Sequence, residues 1–402
     1  MFKLIRNKIK FWVCQRNYAK KLKFLRQNSS QKIKVVFLIT ENQKWCYQSL
    51  YDFCQNDEMF EPLVLVSIIY SAAKGQDDTR KNVEENYEFF KSRGINVDYA
   101  YKDNHYIDLK KFNPDIVFYD QPCVLPPLHR PLKVSKFALI AYCDYGLELV
   151  EDDVNYTDNF HHLLWKFFAD SSLNIERYEK YRKGNSFNCV SAGYPKLDVY
   201  FDENNCKNSE KLKVIYAPHH SFSPDRLNFA TFRWNGKEIL EFAKNHPEIT
   251  WIFKPHPRLK FALKYHGIMT NDEIDAYYAE WAKIGQVYIQ GAYFDIFKSS
   301  DLLITDCCSF LGEYLPTKKP IIRFINKDSL ALNEFGEKIA KSCYEVSSWE
   351  DFLSIYNEVI ENKNDYKLDD RVEAMKCLID FEEKSGDKIC KKIKDYIFGG
   401  IE

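Results

Sequence analysis

Two histidines in the second half of the chain each follow a short apolar run of the kind that forms a buried strand. His220 stands in the segment APHHS after the run Leu212–Tyr216, and His256 stands in KPHPR after the run Thr250–Phe253. An imidazole with a pKa near 6.5 can act at neutral pH as a general base or as a hydrogen-bond donor to phosphate. Ligands of parallel sheets bind at the carboxyl ends of the strands, so both histidines are predicted to lie at one site.

The residues around these histidines favour an anionic ligand. Lys254 and Arg258 flank His256, and their cations could contact phosphate oxygens. The neighbouring prolines restrict the backbone of both turns. A single histidine at a strand end is more often structural. Two such histidines beside two cations favour an active site.

The stretch Lys298–Phe324 supplies a third strand end. Leu302–Thr305 is predicted to be a strand, Asp306–Ser309 a turn, Phe310–Leu315 a short helix and Ile321–Phe324 a second strand. The start of a helix favours an anion, Ser309 can add a hydroxyl donor, and Glu313 can accept a hydrogen bond from a sugar hydroxyl. The alternative is an ordinary βαβ crossover without a ligand.

Composition narrows the functional class. The chain has 402 residues with a net charge of −1, which does not indicate a nucleic-acid partner. The twelve cysteines contain no CxxC pair, and no acidic cluster of metal-ligand type is evident. Free thiols in a chain of this size suit a reducing cytosol, and no apolar run has the length of a membrane span. We therefore expect a cytoplasmic protein without a tightly held metal or cofactor.

The first 40 residues differ from the rest in charge. They contain eleven lysines and arginines and no acidic residue before Glu41. Apolar residues recur among these cations at helical spacing, at Phe2, Ile5, Ile9, Trp12 and Val13. This pattern predicts a basic amphipathic helix that lies on an anionic membrane surface. The alternative is that the apolar stripe packs against the protein itself.

Alternating strand and helix patterns predict two doubly wound α/β domains. We expect a basic arm at residues 1–31, a first domain at 32–201, a second domain at 202–385 and a C-terminal helix at 386–402. The polar stretch 202–211 is predicted to be the linker. Within the first domain, the aromatic segment Phe160–Ala169 is predicted to be a helix.

Three segments of the second domain together resemble the CDP-glycerol glycerophosphotransferase family, which builds teichoic acids and related capsule polymers. These are YAPHH (216–220), FKPHP (253–257) and SSDLLITDCCSFLGEYLPTKKPIIRF (299–324), and AGYPKLD (192–198) resembles a fourth family element. The resemblance implies a GT-B fold, in which two Rossmann-like domains face each other across a cleft and a C-terminal helix returns to the first domain. It also implies transfer of a polyol phosphate from a CDP-activated donor to a hydroxyl of a lipid-linked acceptor at the inner face of the cell membrane.

The resemblance assigns site residues by position. The histidine of the family's YAPTH-like segment falls on His220 and that of its KPHP segment on His256. The family's TDYSS segment falls on Thr305–Ser309, so Cys307 and Cys308 replace a tyrosine and a serine. The catalytic residues are thus predicted to be His220 and His256, and the donor-binding residues to be Lys254, Arg258, Thr305, Asp306, Cys308, Ser309 and Glu313.

The predicted mechanism is a single phosphoryl transfer. His220 is predicted to take the proton of the acceptor hydroxyl as it attacks the β-phosphorus, and His256 to stabilise charge on the phosphates and the leaving CMP, with exchange of the two roles as the alternative. The residues do not decide which histidine is the base, which polyol is transferred, or whether the protein forms a homo-oligomer. Three alternatives stay open: a GT-B glycosyltransferase using a nucleotide sugar, a non-catalytic scaffold of a capsule assembly complex, and a nucleotide-sugar 2-epimerase.

Overall fold

The architecture consists of two compact units, each built on its own parallel sheet. The computed structural model describes residues 2–70, 76–122, 125–152, 159–182, 187–201, 211–289, 293–379 and 381–399. Unit 1 comprises Met1–Gly146, Asp152–Phe201 and Asp380–Glu402, and unit 2 comprises Leu147–Glu151 and Asp202–Ile379. The predicted linker at 202–211 lies, apart from Lys211, outside the described residues.

The sheet of unit 1 has seven parallel strands in the order β3-β2-β1-β6-β7-β8-β9. Its strands are β1 (Ile33–Ile39), β2 (Phe60–Val66), β3 (Val97–Tyr99), β6 (Ile116–Tyr119), β7 (Leu139–Cys143), β8 (Lys166–Ala169) and β9 (Cys189–Ser191), and β4 (Tyr101–Lys102) and β5 (His105–Tyr106) form a separate hairpin. The helices of unit 1 are α1 (Phe2–Gln27), α2 (Gln48–Asn56), α3 (Gln76–Lys91), α4 (Pro131–Val134), α5 (Asn159–His162), α6 (Ser172–Arg182) and α15 (Ser385–Phe398).

The sheet of unit 2 has six parallel strands in the order β12-β11-β10-β13-β14-β15. Its strands are β10 (Lys213–Ala217), β11 (Thr250–Phe253), β12 (Gln286–Val287), β13 (Leu302–Thr305), β14 (Ile321–Phe324) and β15 (Tyr344–Val346). Its helices are α7 (Phe232–Asn245), α8 (Leu259–Tyr265), α9 (Asn271–Ile284), α10 (Phe294–Ser299), α11 (Cys308–Tyr314), α12 (Glu334–Lys341), α13 (Trp349–Tyr356) and α14 (Leu368–Met375). The predicted pair of doubly wound α/β units is confirmed.

Strand order reverses once in each sheet, between β1 and β6 and between β10 and β13. A doubly wound sheet opens a crevice at this point, outside the carboxyl ends of the strands, and ligands bind there. Most residues of the strands on both sides are apolar, because helices cover both faces of such a sheet. β6 and β13, for example, are buried at every position.

An aspartate follows the strand on the far side of each reversal and ties it to a threonine. In unit 1, Asp120 follows β6 and accepts hydrogen bonds from the N–H and hydroxyl of Thr40, at 2.6 and 2.8 Å, and from the N–H of Glu41. In unit 2, Asp306 follows β13 and accepts from the N–H and hydroxyl of Thr231, at 2.7 and 2.9 Å. The same carboxylate–threonine contact thus fixes the loops at both reversals.

The basic N-terminal segment forms α1, and one face of this helix packs within unit 1. Cys14, Tyr18 and Leu25 are buried there, and the Tyr18 hydroxyl donates to the Leu163 carbonyl at 2.5 Å. Ile9 and Trp12 of the predicted apolar stripe are 59% and 68% exposed, and Val13 is exposed as well. The side chains of Phe2 and Ile5 lie outside the described part. Ile9, Trp12 and Val13 of the predicted stripe therefore face solvent. The residues that pack α1 within unit 1 are Cys14, Tyr18 and Leu25 instead.

The segment Phe160–Ala169 does not form the helix predicted for it. α5 ends at His162, and Lys166–Ala169 forms β8 between β7 and β9. A strand covered on both faces is apolar at nearly every position, so its sequence has no two-residue period. That absence of a period made the run resemble a buried helix.

The C-terminal helix α15 belongs to unit 1, as predicted, and Asp198 holds its first turn. The Asp198 carboxylate accepts hydrogen bonds from the N–H groups of Ser385 and Gly386, at 2.9 and 2.8 Å, and from the Ser49 hydroxyl at 2.5 Å. A Cβ on Gly386 would lie 2.4 Å from the Leu50 nitrogen, so only glycine allows this approach. The AGYPKLD segment, which ends at Asp198, therefore anchors α15 on α2.

We expect Asp198→Ala to loosen α15, because two helix-start N–H groups and one hydroxyl lose their acceptor. Leaving buried donors unsatisfied costs about 1–3 kcal/mol. Hydrogen–deuterium exchange of the Ser385–Phe398 amides should be faster in the variant, and its melting temperature should be lower. Glu58→Ala, which removes an exposed carboxylate of the same unit, is the control. Unchanged exchange in α15 would contradict the anchoring role.

Candidate active site

Three loops meet at the carboxyl edge of the unit 2 sheet, at its reversal of strand order. They follow the neighbouring strands β10, β11 and β13. The first two loops contact each other directly, since the His256 N–H donates to the Pro218 carbonyl at 3.0 Å. Hence the three segments singled out in the sequence as strand ends lie at one edge of one sheet.

The two predicted catalytic histidines are in van der Waals contact. The rings of His220 and His256 are stacked, with centroids 3.8 Å apart and planes 23° apart. His219 completes a cluster of three imidazoles, with its centroid 4.5 Å from that of His220 and 5.2 Å from that of His256. His219 is buried, whereas His220 and His256 are half-buried.

The imidazoles of this cluster are neutral at pH 7. Burial and the nearby Arg258 guanidinium lower the pKa of His220 to about 4. Burial and the neighbouring His220 lower the pKa of His219 to about 3. Burial, the other two histidines and the cations of Arg258 and Lys254 lower the pKa of His256 still further. A neutral imidazole has a lone pair with which it can accept a proton.

Hydrogen bonds distinguish the two predicted catalytic histidines. The N–H of Arg258 donates to Nδ1 of His256 at 3.1 Å, so the remaining proton of that neutral ring is on Nε2. His256 can therefore donate to an anion. Nδ1 of His220 is buried and accepts no hydrogen bond within the described residues.

Asp306 connects the histidine loop to β13. Its carboxylate accepts the N–H of His219 at 2.6 Å in addition to the two donors of Thr231. Burial raises the pKa of Asp306 to about 6 against the opposing effect of these donors. Asp306 was predicted to bind the donor substrate. In the structure, its oxygens are engaged in holding the loops, and contact with the donor stays a prediction.

The other predicted residues of this turn differ in accessibility. The Thr305 hydroxyl donates to the Ala217 carbonyl at 2.7 Å and accepts the N–H of Cys307 at 3.0 Å, which joins β13 to β10. Ser309 is half-buried in the first turn of α11, with its hydroxyl 3.5 Å from the Cys307 sulfur. Burial raises the pKa of the Cys308 thiol, which is therefore neutral. Ser309 is the most accessible hydroxyl that this turn offers.

Lys254 and Glu313 lie in an aromatic pocket next to the histidines. The Lys254 ammonium is 4.9 Å from the ring centroid of Tyr293 and 5.4 Å from that of Phe310. The Tyr293 hydroxyl donates to Glu313 through a short hydrogen bond. Lys254 is only 5% exposed and Glu313 only 1%, whereas Arg258 is exposed. Of the two predicted cations, Arg258 is thus the accessible one.

Several residues of the site were not predicted from the sequence. They are His219, Thr231 and Tyr293. His219 is the first histidine of the APHHS segment, next to His220, but the sequence pattern assigned it no role. Thr231 and Tyr293 lie 75 and 20 positions from their partners Asp306 and Glu313, and no local pattern indicates contacts over such separations.

Solved structures of other proteins share the overall fold at low sequence identity. An MnaA–UDP co-structure from S. aureus has a TM-score of 0.60 at 13% identity, covering 92% of this chain and 98% of that one. The wall teichoic acid polymerase TagF has a TM-score of 0.55 at 13% identity, covering 99% of both chains. UDP-GlcNAc 2-epimerase from Neisseria meningitidis, bound to UDP-GlcNAc, has a TM-score of 0.57 at 13% identity, covering 90% of this chain and 99% of that one. The predicted GT-B fold is confirmed.

Sequence comparison relates one segment of the chain to a protein family. No curated protein sequence matches the chain significantly. Residues 153–329 match the family model described as CDP-glycerol:poly(glycerophosphate) glycerophosphotransferase. This match contains all three loops of the candidate site and confirms the predicted resemblance to this family of transferases.

Proposed function

We propose that the protein transfers glycerol phosphate, or another polyol phosphate, from a CDP-activated donor to a hydroxyl of a lipid-linked acceptor. The product would be a teichoic acid-like or capsular polymer. The observation that carries this proposal is the stacked pair His220–His256, beside an accessible cation and an accessible hydroxyl, within the family-matched segment. A scaffold protein has no need for such a pair.

In the proposed reaction, the acceptor oxygen attacks the β-phosphorus of the donor. A new O–P bond forms, the bond between this phosphorus and the CMP oxygen breaks, and CMP leaves. His220 takes the proton of the attacking hydroxyl through the lone pair of its neutral imidazole. His256 donates its Nε2–H to a phosphate oxygen, because the Arg258 N–H occupies its Nδ1. The structure therefore favours His220 as the base, a choice that the sequence left open.

The remaining residues bind or position the donor. We assign phosphate contacts to the Arg258 guanidinium and the Ser309 hydroxyl, since both groups are accessible. Thr305 and Asp306 hold the loops. Lys254 stays among its aromatic neighbours and attracts the phosphates electrostatically from that position. The contacts of Glu313 with a donor hydroxyl, and of Cys308 with the phosphates, stay predictions.

The acceptor and the place of action are part of the proposal. None of the described helices is both long and apolar enough to cross a membrane. α1 instead exposes Ile9, Trp12 and Val13, together with the cations Lys8, Arg16, Lys20 and Lys23. A helix face with exposed aromatic and aliphatic side chains among cations can insert shallowly into an anionic bilayer. We infer that α1 holds the enzyme on the inner face of the cell membrane, where a lipid-linked acceptor is located.

Incubation of the purified protein with candidate donors tests this function. CDP-glycerol, CDP-ribitol, UDP-sugars and CMP-sugars would each be supplied with a short lipid-linked acceptor. Release of CMP from a CDP-polyol, with extension of the acceptor, is the expected result. Turnover of a UDP-sugar with acceptor would instead indicate a glycosyltransferase, and conversion of a UDP-sugar without acceptor a 2-epimerase. No turnover of any donor would favour a scaffold.

The two histidine variants should both lose activity but differ in donor binding. General-base loss lowers the rate by about 10²–10⁴-fold. His220→Ala should lower kcat by this order and keep its affinity for CDP-glycerol, measured by calorimetry. His256→Ala should lower kcat and weaken donor binding as well. His105→Gln, at an exposed position of unit 1, is the control. Near-normal transfer in both alanine variants would contradict the mechanism.

Ser309→Ala should weaken donor binding more than it affects use of the acceptor. A hydrogen bond to a charged oxygen contributes about 1.5–3 kcal/mol, which corresponds to about tenfold or more in affinity. The comparison variant is Cys308→Ser, which adds a hydroxyl where the family pattern has serine and should keep or improve donor affinity. Equal donor affinity of Ser309→Ala and the unmodified protein would remove Ser309 from the donor site.

The exposed face of α1 should control binding to anionic vesicles. Trp12→Ser combined with Ile9→Ser should reduce sedimentation with phosphatidylglycerol vesicles and leave the melting temperature unchanged, because both side chains face solvent. Binding of the unmodified protein should weaken with salt, since surface attraction extends only about 10 Å at 0.1 M. Tyr366→Ser, an exposed aromatic residue of unit 2, is the control. Equal sedimentation of all three proteins would show that α1 does not bind the membrane.

A further inference from the structure

The cluster of His219, His220 and His256 contains one imidazole more than the proposed transfer uses. One nitrogen from each ring can be chosen so that the three atoms lie within 4.8 Å of one another. We propose that this cluster also binds a divalent transition metal ion of the zinc type, and that the bound ion inhibits transfer by occupying His220. The inhibition, though not the binding, rests on the proposed function.

The distances allow coordination once the stacked rings of His220 and His256 turn so that one nitrogen of each faces a common point. Zinc binds imidazole nitrogens at about 2.0–2.1 Å, which places two ligands of a tetrahedral ion about 3.3 Å apart. The three nitrogens must therefore approach one another by about 1.5 Å at most, starting from the 4.8 Å limit. Three protein ligands leave a fourth position for water, chloride or a phosphate oxygen.

The loops that carry the ligands are already fixed in place. The His219 N–H is bound to Asp306, and the His256 N–H is bound to the Pro218 carbonyl. Nδ1 of His219 lies 2.8 Å from the Ser221 hydroxyl and accepts the Ser221 N–H at 3.3 Å. Metal binding through Nε2 would place the ring proton on Nδ1, so the contact with the Ser221 N–H would be given up. A hydroxyl can either donate or accept, and metal-binding histidines are oriented by such contacts on their other nitrogen.

Ligand chemistry selects the class of ion. Imidazole suits zinc, copper and nickel, whereas magnesium and calcium prefer oxygen ligands. Each imidazole binds a metal ion through the lone pair of one ring nitrogen. Binding through Nε2 of His256 requires that ring to exchange its tautomer and give up the hydrogen bond from Arg258.

The charges around the cluster oppose a bare dication. Lys254 and Arg258 both act on His256, and the Asp306 carboxylate is directed at the backbone of His219. An anion in the fourth position reduces this repulsion, because it lowers the net charge of the bound ion. The metal is thus expected to bind better with chloride or phosphate present than with a non-coordinating anion.

The bound ion acts as an inhibitor because it uses the same lone pair as the reaction. A nitrogen of His220 that ligates zinc cannot accept the proton of the acceptor hydroxyl. The ion also places a positive centre at the edge of the two catalytic rings. Transfer should therefore stop when the metal binds and resume when a chelator removes it.

Direct metal binding tests the site without reference to activity. The full chain, carrying no histidine tag, is titrated with Zn²⁺ against a chromogenic chelator, and with Co²⁺ followed by visible absorption. We expect one ion per chain and cobalt bands of a four-coordinate site. In His219→Thr, which restores the threonine of the family's YAPTH-like segment, the affinity should fall by at least about tenfold. If that variant does not fold, His219→Gln tests the same ligand.

His105→Gln, which removes a histidine outside the cluster, should bind zinc as the unmodified protein does. Equal zinc affinity in the unmodified protein and both His219 variants would overturn the proposal.

The rate of transfer is then measured with and without Zn²⁺. For each variant, the rate with Zn²⁺ is compared with the rate of the same variant without metal. Inhibition that His219→Thr relieves supports the regulatory role. Histidine-dependent zinc binding in a protein that transfers no polyol phosphate would keep the metal site and reject the proposed function.

Discussion

One buried carboxylate determines the geometry of the candidate site. Asp306 accepts three hydrogen bonds, two from Thr231 and one from the N–H of His219, and so joins the ends of β10 and β13. The loop that presents His220 takes its position from this contact. A buried carboxylate is costly unless donors surround it, so the loops must keep their conformation for the unit to stay folded. Stability and placement of the histidine therefore depend on the same atoms.

The charges around the histidine cluster determine the protonation state of its imidazoles. Burial of three imidazoles beside Arg258 and Lys254 keeps the imidazoles neutral, so the positive charge that acts on the rings comes from these two cations. An anionic donor would bind to those cations and reduce the field that disfavours a protonated histidine. The base would then gain proton affinity when the substrate is present. The site is thus suited to an anion with several phosphate oxygens.

Local sequence patterns predicted the strands of the site well. Leu302–Thr305 and Ile321–Phe324 form β13 and β14 with the predicted bounds, because each is a short apolar run between polar residues. The three strand ends and His220, His256 and Ser309 could be found in the same way. Contacts between positions far apart in the sequence could not be found from such patterns. Thr231–Asp306 and Tyr293–Glu313 are examples. The error at Phe160–Ala169 has another cause, since an apolar run without a period fits a helix and a fully covered strand equally well.

The anchoring of α15 has a consequence for how the chain folds during synthesis. Unit 1 needs Ser385–Phe398, whose Ile389, Ile393 and Ile397 are buried in its core. The ribosome makes this helix only after it has made all of unit 2. Domains usually complete their folding from the N-terminus onward as they emerge. Here the order is reversed: unit 2 can fold first, while Asp198 and the surface of α2 lack their partner and are accessible to chaperones until α15 has been made.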